Sequence, residues 1–158
     1  MANTQSMTTS FLGEVLTATH NFGTAPIRAA TTADTFKAAL YLTSATVNAA
    51  STAYTATGEV TGTGYTAGGV AVTNATAPAS TNSSATAGVG YWTPSASIVY
   101  TSVTLSTAFD AMMLYNSTQS NKSVAVFTFG SQTITAGNFT LTMPSNTTST
   151  ALLRLSTT

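Results

Sequence analysis

Few residues in this chain have side chains that catalyse reactions. Its 158 residues include one histidine, His20, and four carboxylates: Glu14, Asp34, Glu59 and Asp110. A hydrolytic triad places a histidine beside a serine and a carboxylate, but serine is so frequent here that no pairing stands out, and no Gly-x-Ser-x-Gly turn occurs. A glycosidase needs two carboxylates within about 5–9.5 Å, and nothing in the spacing of these four suggests such a pair. The sequence therefore predicts no catalytic residue and no enzyme, and His20 is expected to be a lone polar residue near the end of the first segment.

Metal, cofactor and nucleic-acid sites are also disfavoured by spacing. No cluster has metal-ligand spacing, and no loop carries the several carboxylates that calcium needs. The glycine-rich stretch 58–69 lacks the Gly-Lys-Ser/Thr ending of a phosphate loop, and a strand-like segment, 70–73, follows it where a dinucleotide fold needs a helix. The four cations are too dispersed for a nucleic-acid patch: Arg28, Lys37, Lys122 and Arg154. We predict no metal, no cofactor and no nucleic-acid partner.

Threonine, alanine and serine take the place of charged residues. They number 36, 26 and 18, whereas only eight residues carry a formal charge and the net charge is zero. An ordinary soluble domain is about 25% charged, and a net charge near zero promotes association. The chain has no cysteine, so its fold is indifferent to redox conditions. This composition favours an assembled, structural role.

The length fits one domain with a short arm. No apolar run approaches the ~18–20 residues of a membrane-spanning helix, and the first residues lack the pattern of a secretory signal. We therefore expect synthesis in the cytoplasm and no membrane partner. Residues 1–10 are predicted to form an N-terminal arm and 11–158 a single β domain. A low-complexity segment at about 74–88 is expected to be a flexible, solvated loop, or alternatively a contact arm.

The elements that must position these side chains are mostly strands. Apolar residues alternate or run continuously at 34–42, 97–105, 108–115, 124–129, 138–144 and 152–155. Turn residues separate them, notably at 116–121 and 136–138. Short strands at such intervals predict an all-β antiparallel sandwich or jelly-roll-like fold, with threonine on the wet faces. Segment 108–115 is expected to be the central strand, with Asp110 either paired with a cation or, as we favour, at its wet start.

Three shorter features complete the pattern. The apolar stripe Phe11, Leu12, Val15 and Leu16 has helical spacing and predicts a short N-terminal helix. The stretch 58–69 predicts a bend at which backbones approach closely, so that Glu59 and Tyr65 are structural or interfacial. Trp92 is expected to pack on the core at a strand end; the alternative is an exposed patch with its aromatic neighbours, Tyr91 and Tyr65, that stacks on sugars.

Several ordered segments together carry a family resemblance. They are 34–41, 52–60, 62–69, 115–118 and the closing Gly-Asn-Phe-Thr-Leu-Thr-Met-Pro strand at 137–144. The chain resembles a family of small tailed-bacteriophage virion proteins over most of its length, roughly residues 11 to 155. The most specific part is Thr-Gly-Glu-Val followed by Gly-Thr-Gly-Tyr-Thr-Ala-Gly-Gly. The resemblance implies a virion component and brings no catalytic residue with it.

Within a virion, a compact chain without internal repeats suits a capsid decoration (cement) protein better than a fibre. Such a protein would lie on the capsid exterior, bind the major capsid protein and form a homodimer or homotrimer, with its N-terminal arm along a neighbouring subunit. A tail or fibre component that binds a host receptor or glycan is the alternative. The candidate interface residues are Phe11, Leu12, Glu59, Gly64, Tyr65, Gly68, Gly69 and Trp92.

Overall fold

The computed structural model of the chain describes residues 3–8, 11, 15, 19–20, 22, 33–81 and 88–156. Within these ranges the backbone forms eight strands, which alternate with turns and loops. They are β1 (Ser6–Met7), β2 (Phe36–Leu42), β3 (Val70–Val72), β4 (Ala79–Ser80), β5 (Val89–Trp92), β6 (Ile98–Asn116), β7 (Lys122–Leu141) and β8 (Leu153–Ser156).

The strands form two antiparallel sheets. The larger sheet has the order β1-β7-β6-β2-β3, and the smaller has the order β4-β5-β8. Strand β6 lies at the centre of the larger sheet, between β7 and β2, as its apolar run predicted. The predicted all-β, sandwich-like fold is therefore confirmed. Among the described residues, no helix has the length and apolarity to cross a membrane.

A single long hairpin dominates the larger sheet. Strands β6 and β7 contain 19 and 20 residues, and each joins two of the strands predicted separately. The turn expected at 136–138 was wrong, because pairing continues on both sides of it, at Phe139 with Tyr100 and at Ile134 with Leu105. The extra residue is absorbed by a β-bulge at Ala136, which has φ 47°. A bulge lets a strand continue where the sequence contains a turn-like triplet.

One apolar core lies between the two sheets. Phe36 and Leu40 of β2 and Phe109 of β6 are fully buried there. The smaller sheet contributes Trp92 and Leu153 to the same cluster. The burial of these large side chains is the main force that holds the sheets together.

A second core covers the opposite face of the larger sheet. Ala39 and Tyr41 of β2 are completely buried there, together with Met113 of β6. The loop after β2 covers them with Ala45 and Val47. The expectation of a wet, threonine-rich face is therefore wrong at the centre of this sheet, because a loop packs where solvent was expected.

The N-terminal residues lie on their own sheet. Strand β1 pairs with β7, Ser6 opposite Val126. The side-chain amide of Asn3 donates to the Leu42 carbonyl (3.0 Å) and to Oδ1 of Asp110 (2.6 Å). Asp110 thus lies in the interior of β6 with an amide partner, and the favoured expectation of a wet strand start was wrong. The arm expected along a neighbouring subunit is bound, over residues 3–8, to its own chain.

Two other predicted segments are only partly described. Phe11 and Val15 have helical conformation, in line with the predicted helix, while Leu12 and Leu16 lie outside the described residues. The predicted flexible loop at 74–88 contains the short strand β4, and its residues 82–87 also lie outside the described ranges.

Candidate functional site

The glycine-rich segment 58–69 extends the larger sheet beyond β3. Strand β3 pairs with residues 36–38 of β2 only. Further along, the Leu42 amide donates to the Gly58 carbonyl (2.9 Å) and the Val60 amide donates to the Leu40 carbonyl (3.0 Å). This bridge sets Glu59 opposite Tyr41 at the sheet edge.

The Glu59 carboxylate is enclosed by three donors. The Tyr54 hydroxyl donates to Oε2 (2.6 Å), and the Tyr65 hydroxyl and the Gly68 amide donate to Oε1 (2.7 Å each). Only 7% of Glu59 is exposed. A buried carboxylate without hydrogen bonds costs several kcal/mol, and charge-assisted bonds such as these offset that cost. The arrangement fastens the loop to the sheet instead of presenting a reactive group.

Other tyrosines extend this network on both sides of the sheet. The Tyr115 hydroxyl donates to the Gly68 carbonyl (2.7 Å), and the Tyr100 hydroxyl donates to the Ala38 carbonyl (2.8 Å). The Tyr54 ring stacks on Tyr115 at a centroid distance of 4.9 Å, on the side of the second core. A matching stacked pair, Tyr65 on Tyr100, lies on the side of the first core. Glu59 therefore connects the two cores.

The tyrosine hydroxyls in this network are held protonated. Burial, reinforced by the Glu59 charge, raises the pKa of Tyr54 and of Tyr115 to about 12. Burial raises the pKa of Tyr41, Tyr65 and Tyr100 still further above the usual value. A phenol with a raised pKa remains a hydrogen-bond donor at neutral pH. Tyr54 and Tyr65 thus stabilise Glu59 as donors, and the other three hydroxyls donate to backbone carbonyls.

Two glycines make the close approach of the loop possible. Gly64 and Gly69 have φ of 79° and 70°, which disfavour residues with a Cβ. A Cβ at Gly69 would overlap the Ala38 carbonyl oxygen, and a Cβ at Gly64 would overlap the Ser102 carbonyl oxygen. The predicted bend with closely approaching backbones is confirmed.

A second buried carboxylate fixes the turn between β6 and β7. Asp34, 3% exposed, accepts from Asn116 Nδ2 (2.9 Å) and from Gln119 Nε2 (3.2 Å). Nδ2 of Asn116 also lies 3.1 Å from Nδ1 of His20. The His20 ring packs at 4.9 Å from Phe11. These contacts hold Asp34 and His20 against the turn between β6 and β7, which is a structural role.

Most of the predicted interface residues belong to the interior. Phe11 and Trp92 are core residues, 2% and 3% exposed, and Glu59 is enclosed by its donors. These three predictions are corrected, because the side chains have almost no surface left for a partner. Gly68 and Gly69 are also buried, and Tyr65 is half-buried with its hydroxyl bonded to Glu59. Gly64 is exposed, and Leu12 lies outside the described residues.

The sequence did not reveal that the Tyr54 hydroxyl donates to Glu59 or that the Tyr115 hydroxyl donates to the Gly68 carbonyl. The available signal was chemical: a carboxylate in a glycine-rich bend needs donors, and this chain has few cations to supply them. Within the described ranges, no group of three or more His, Cys, Asp or Glu residues is placed to hold a metal ion.

Comparison with known proteins returned no relative. No protein-family model matches the chain, and neither a curated protein nor a solved structure matches it. Arguments about function therefore rest on the residues themselves.

Proposed function

We propose that this chain is a structural protein of a bacteriophage virion. In this proposal it decorates the capsid exterior, where it binds the major capsid protein and associates with itself. The proposal combines the family resemblance of the sequence with the physical character of the molecule. Its contacts would be apolar and backbone-mediated, because the chain has too few charges for an electrostatic interface.

The proposal rests mainly on the burial of acidic side chains inside the molecule. Glu59 and Asp34 are buried, and Asp110 is half-buried in β6. The partners of these carboxylates include tyrosine hydroxyls, a backbone amide and side-chain amides of the same chain. Three of the chain's eight charges are thus directed inward. The surface offered to a partner is correspondingly rich in uncharged threonine and serine, which suits permanent attachment across changes of salt.

Retention on capsids across a salt series tests this proposal. Capsids that carry the protein are incubated from low to high NaCl concentration, sedimented, and assayed for bound chain. An uncharged interface should retain the same fraction at each concentration. Strong release by salt would contradict the proposal, as would a virion density map that places the chain in the tail or inside the head.

The alternative of a glycan-binding tail or fibre component has less support. Trp92 does not form an exposed patch, since it is buried and its Nε1 donates to the Thr76 carbonyl (2.9 Å). A cavity of about 190 Å³ lies beside it, and its walls, which include Phe11, Phe22 and Leu155, are mainly apolar. Sugar sites need polar groups as well as aromatic rings. Binding to a glycan array would favour this alternative.

A further inference from the structure

Among the described residues, the outer edge of β7 is unpaired over most of its length. Strand β1 pairs with β7 at Ala125 and Val126 only. From residue 127 to Leu141, no described strand pairs with this edge, while the inner edge stays paired with β6 as far as Leu141. Unpaired amides and carbonyls on such an edge are a template for another strand.

The core is also incompletely covered along this edge. Phe129, Ile134, Phe139 and Leu141 are packed against the first core but are only partly buried. Phe139 packs edge-to-face on the buried ring of Phe109, at a centroid distance of 5.1 Å. A strand added beside β7 would therefore cover apolar side chains and satisfy backbone groups together.

The usual protections of an edge strand are few here. Natural edges carry charged residues, prolines or bulges that discourage pairing. In β7 the only charged residue is Lys122 at its start, and no further charge occurs before Arg154. The first proline, Pro144, follows the strand. The bulge at Ala136 is one protection, and residues 137–141 follow it at the end of the strand. A second irregularity lies between Gly137 and Phe139, but its extra residue belongs to the neighbouring strand β6, so β7 itself contains no inserted residue there.

The absence of charge points to a second copy of the same chain as the partner. When a strand pairs with its own copy about a two-fold axis, each residue near the axis lies close to its own equivalent. Any charge there would oppose a like charge, which destabilises antiparallel pairs. A different partner imposes no such restriction, because opposite charges are then available. The uncharged run 137–141 meets the requirement of self-pairing.

We infer that residues 137–141 of two copies pair antiparallel, across a two-fold axis near Phe139. The inference identifies the surface for the self-association included in the proposed function, and it rests on that part of the proposal. Asn138 then lies opposite the partner's Thr140. Thr140 and the partner's Thr140 are diagonal neighbours on the exposed face, about 7–8 Å apart.

Charge substitutions at Thr140 test this geometry. Thr140→Lys and Thr140→Glu are prepared separately, and self-association is measured by sedimentation equilibrium against the wild-type chain of 16.0 kDa. Each variant alone should raise the dimer dissociation constant about fivefold or more at low salt, and added NaCl should reverse part of the loss. Mixed in equal amounts, the two should form a heterodimer with affinity restored to the wild-type value or better. The matched controls are Thr107→Lys and Thr107→Glu, at an exposed site on the inner strand β6, which should change nothing.

The mixture makes the result independent of folding defects, because a misfolded variant is not rescued by its opposite charge. Hydrogen exchange gives a second measurement on the wild-type protein: amides within 137–141 should gain protection as concentration rises. A monomer at all concentrations, a trimer, or a mixture no tighter than its components would overturn the inference. Each of these results leaves capsid binding to be judged by the salt series, so the failure of either proposal is recognisable.

Discussion

Raising the pH above 10 should unfold this protein through its tyrosines. Tyr41, Tyr100 and Tyr115 are 0%, 1% and 2% exposed. Burial raises the pKa of each above the ordinary value of 10.0, to about 12 for Tyr115 and beyond that for the other two. The folded protein therefore retains phenolic protons over a pH range in which the unfolded chain releases them. This stabilisation is fully present below pH 10 and is lost as the pH rises through the folded-state pKa values.

The size of the effect follows from proton linkage. One proton bound by the folded but not the unfolded state changes the free energy of unfolding by about 1.4 kcal/mol per pH unit. Because each phenol of the unfolded chain is only half ionised at pH 10, three fully buried tyrosines should remove about 3 kcal/mol between pH 10 and pH 11. Because a domain is stable by only about 5–15 kcal/mol, the midpoint of unfolding is expected at about pH 11–13. Tyr54 and Tyr65, which are partly exposed, add to this loss.

Two spectroscopic signals followed together provide the assay. Tyrosinate absorbance reports ionisation, and the fluorescence of Trp92, the single tryptophan, reports exposure of the core. We expect both to change in one cooperative step, steeper than a single-proton titration. Ionisation of all tyrosines near pH 10 with unchanged Trp92 fluorescence would contradict alkaline unfolding through buried tyrosines.

The variant Tyr100→Phe supplies an internal control, because it should act with opposite signs at two pH values. At pH 7 the substitution removes the hydrogen bond to the Ala38 carbonyl and should lower the free energy of unfolding by about 1 kcal/mol. Above pH 11 it removes one ionising group, so the alkaline loss of stability becomes less steep by about 1.4 kcal/mol per pH unit. A variant that is destabilised equally at every pH would contradict the assignment.

Two further predictions concern the loop that Glu59 fastens, and urea denaturation measures both. Gly69→Ala should lower the free energy of unfolding by at least about 2 kcal/mol, because the new Cβ meets a left-handed backbone and overlaps the Ala38 carbonyl. The control Gly130→Ala has open space around it and should change the free energy of unfolding by no more than about 0.5 kcal/mol. Equal effects of the two substitutions would show that the close approach at Gly69 is unimportant. Glu59→Gln should cost about 1–3 kcal/mol, because an amide nitrogen replaces one carboxylate oxygen that accepts hydrogen bonds, and Glu59→Ala should cost more. If Glu59→Gln left the free energy of unfolding unchanged, the donors, including Tyr54, would bind water equally well.

The positions of most strands were predictable because alternation and apolar runs are local patterns. Strands β2 and β8 match the predicted segments to within a few residues. The fusion of neighbouring segments into β6 and β7 was not predictable, because bulges absorb the irregular residues between them. A bulge depends on the partner strand, which a single sequence does not display.

The candidate site divides in the same way. The bend at 58–69 was predictable from its glycines, since positive φ and close backbone contact favour them. The donors to Glu59 were not, because Tyr54 and Tyr65 converge on it only when the loop folds back against the sheet. Burial of Phe11 and Trp92 likewise depends on how the two sheets meet.

Local sequence patterns predict an all-β chain, nearly free of charge, with a glycine-rich bend. Composition and residue periodicity are sufficient for that, because each strand must separate its apolar side chains from its polar ones. The places of the few charges and hydroxyls, in contrast, follow from the way the sheets and loops pack together. This packing buries Glu59 among tyrosines and covers the second face of the sheet with a loop. It also leaves most of the outer edge of β7 without a partner among the described strands. These outcomes depend on contacts between residues distant in sequence, and such contacts leave no periodic signal in the chain.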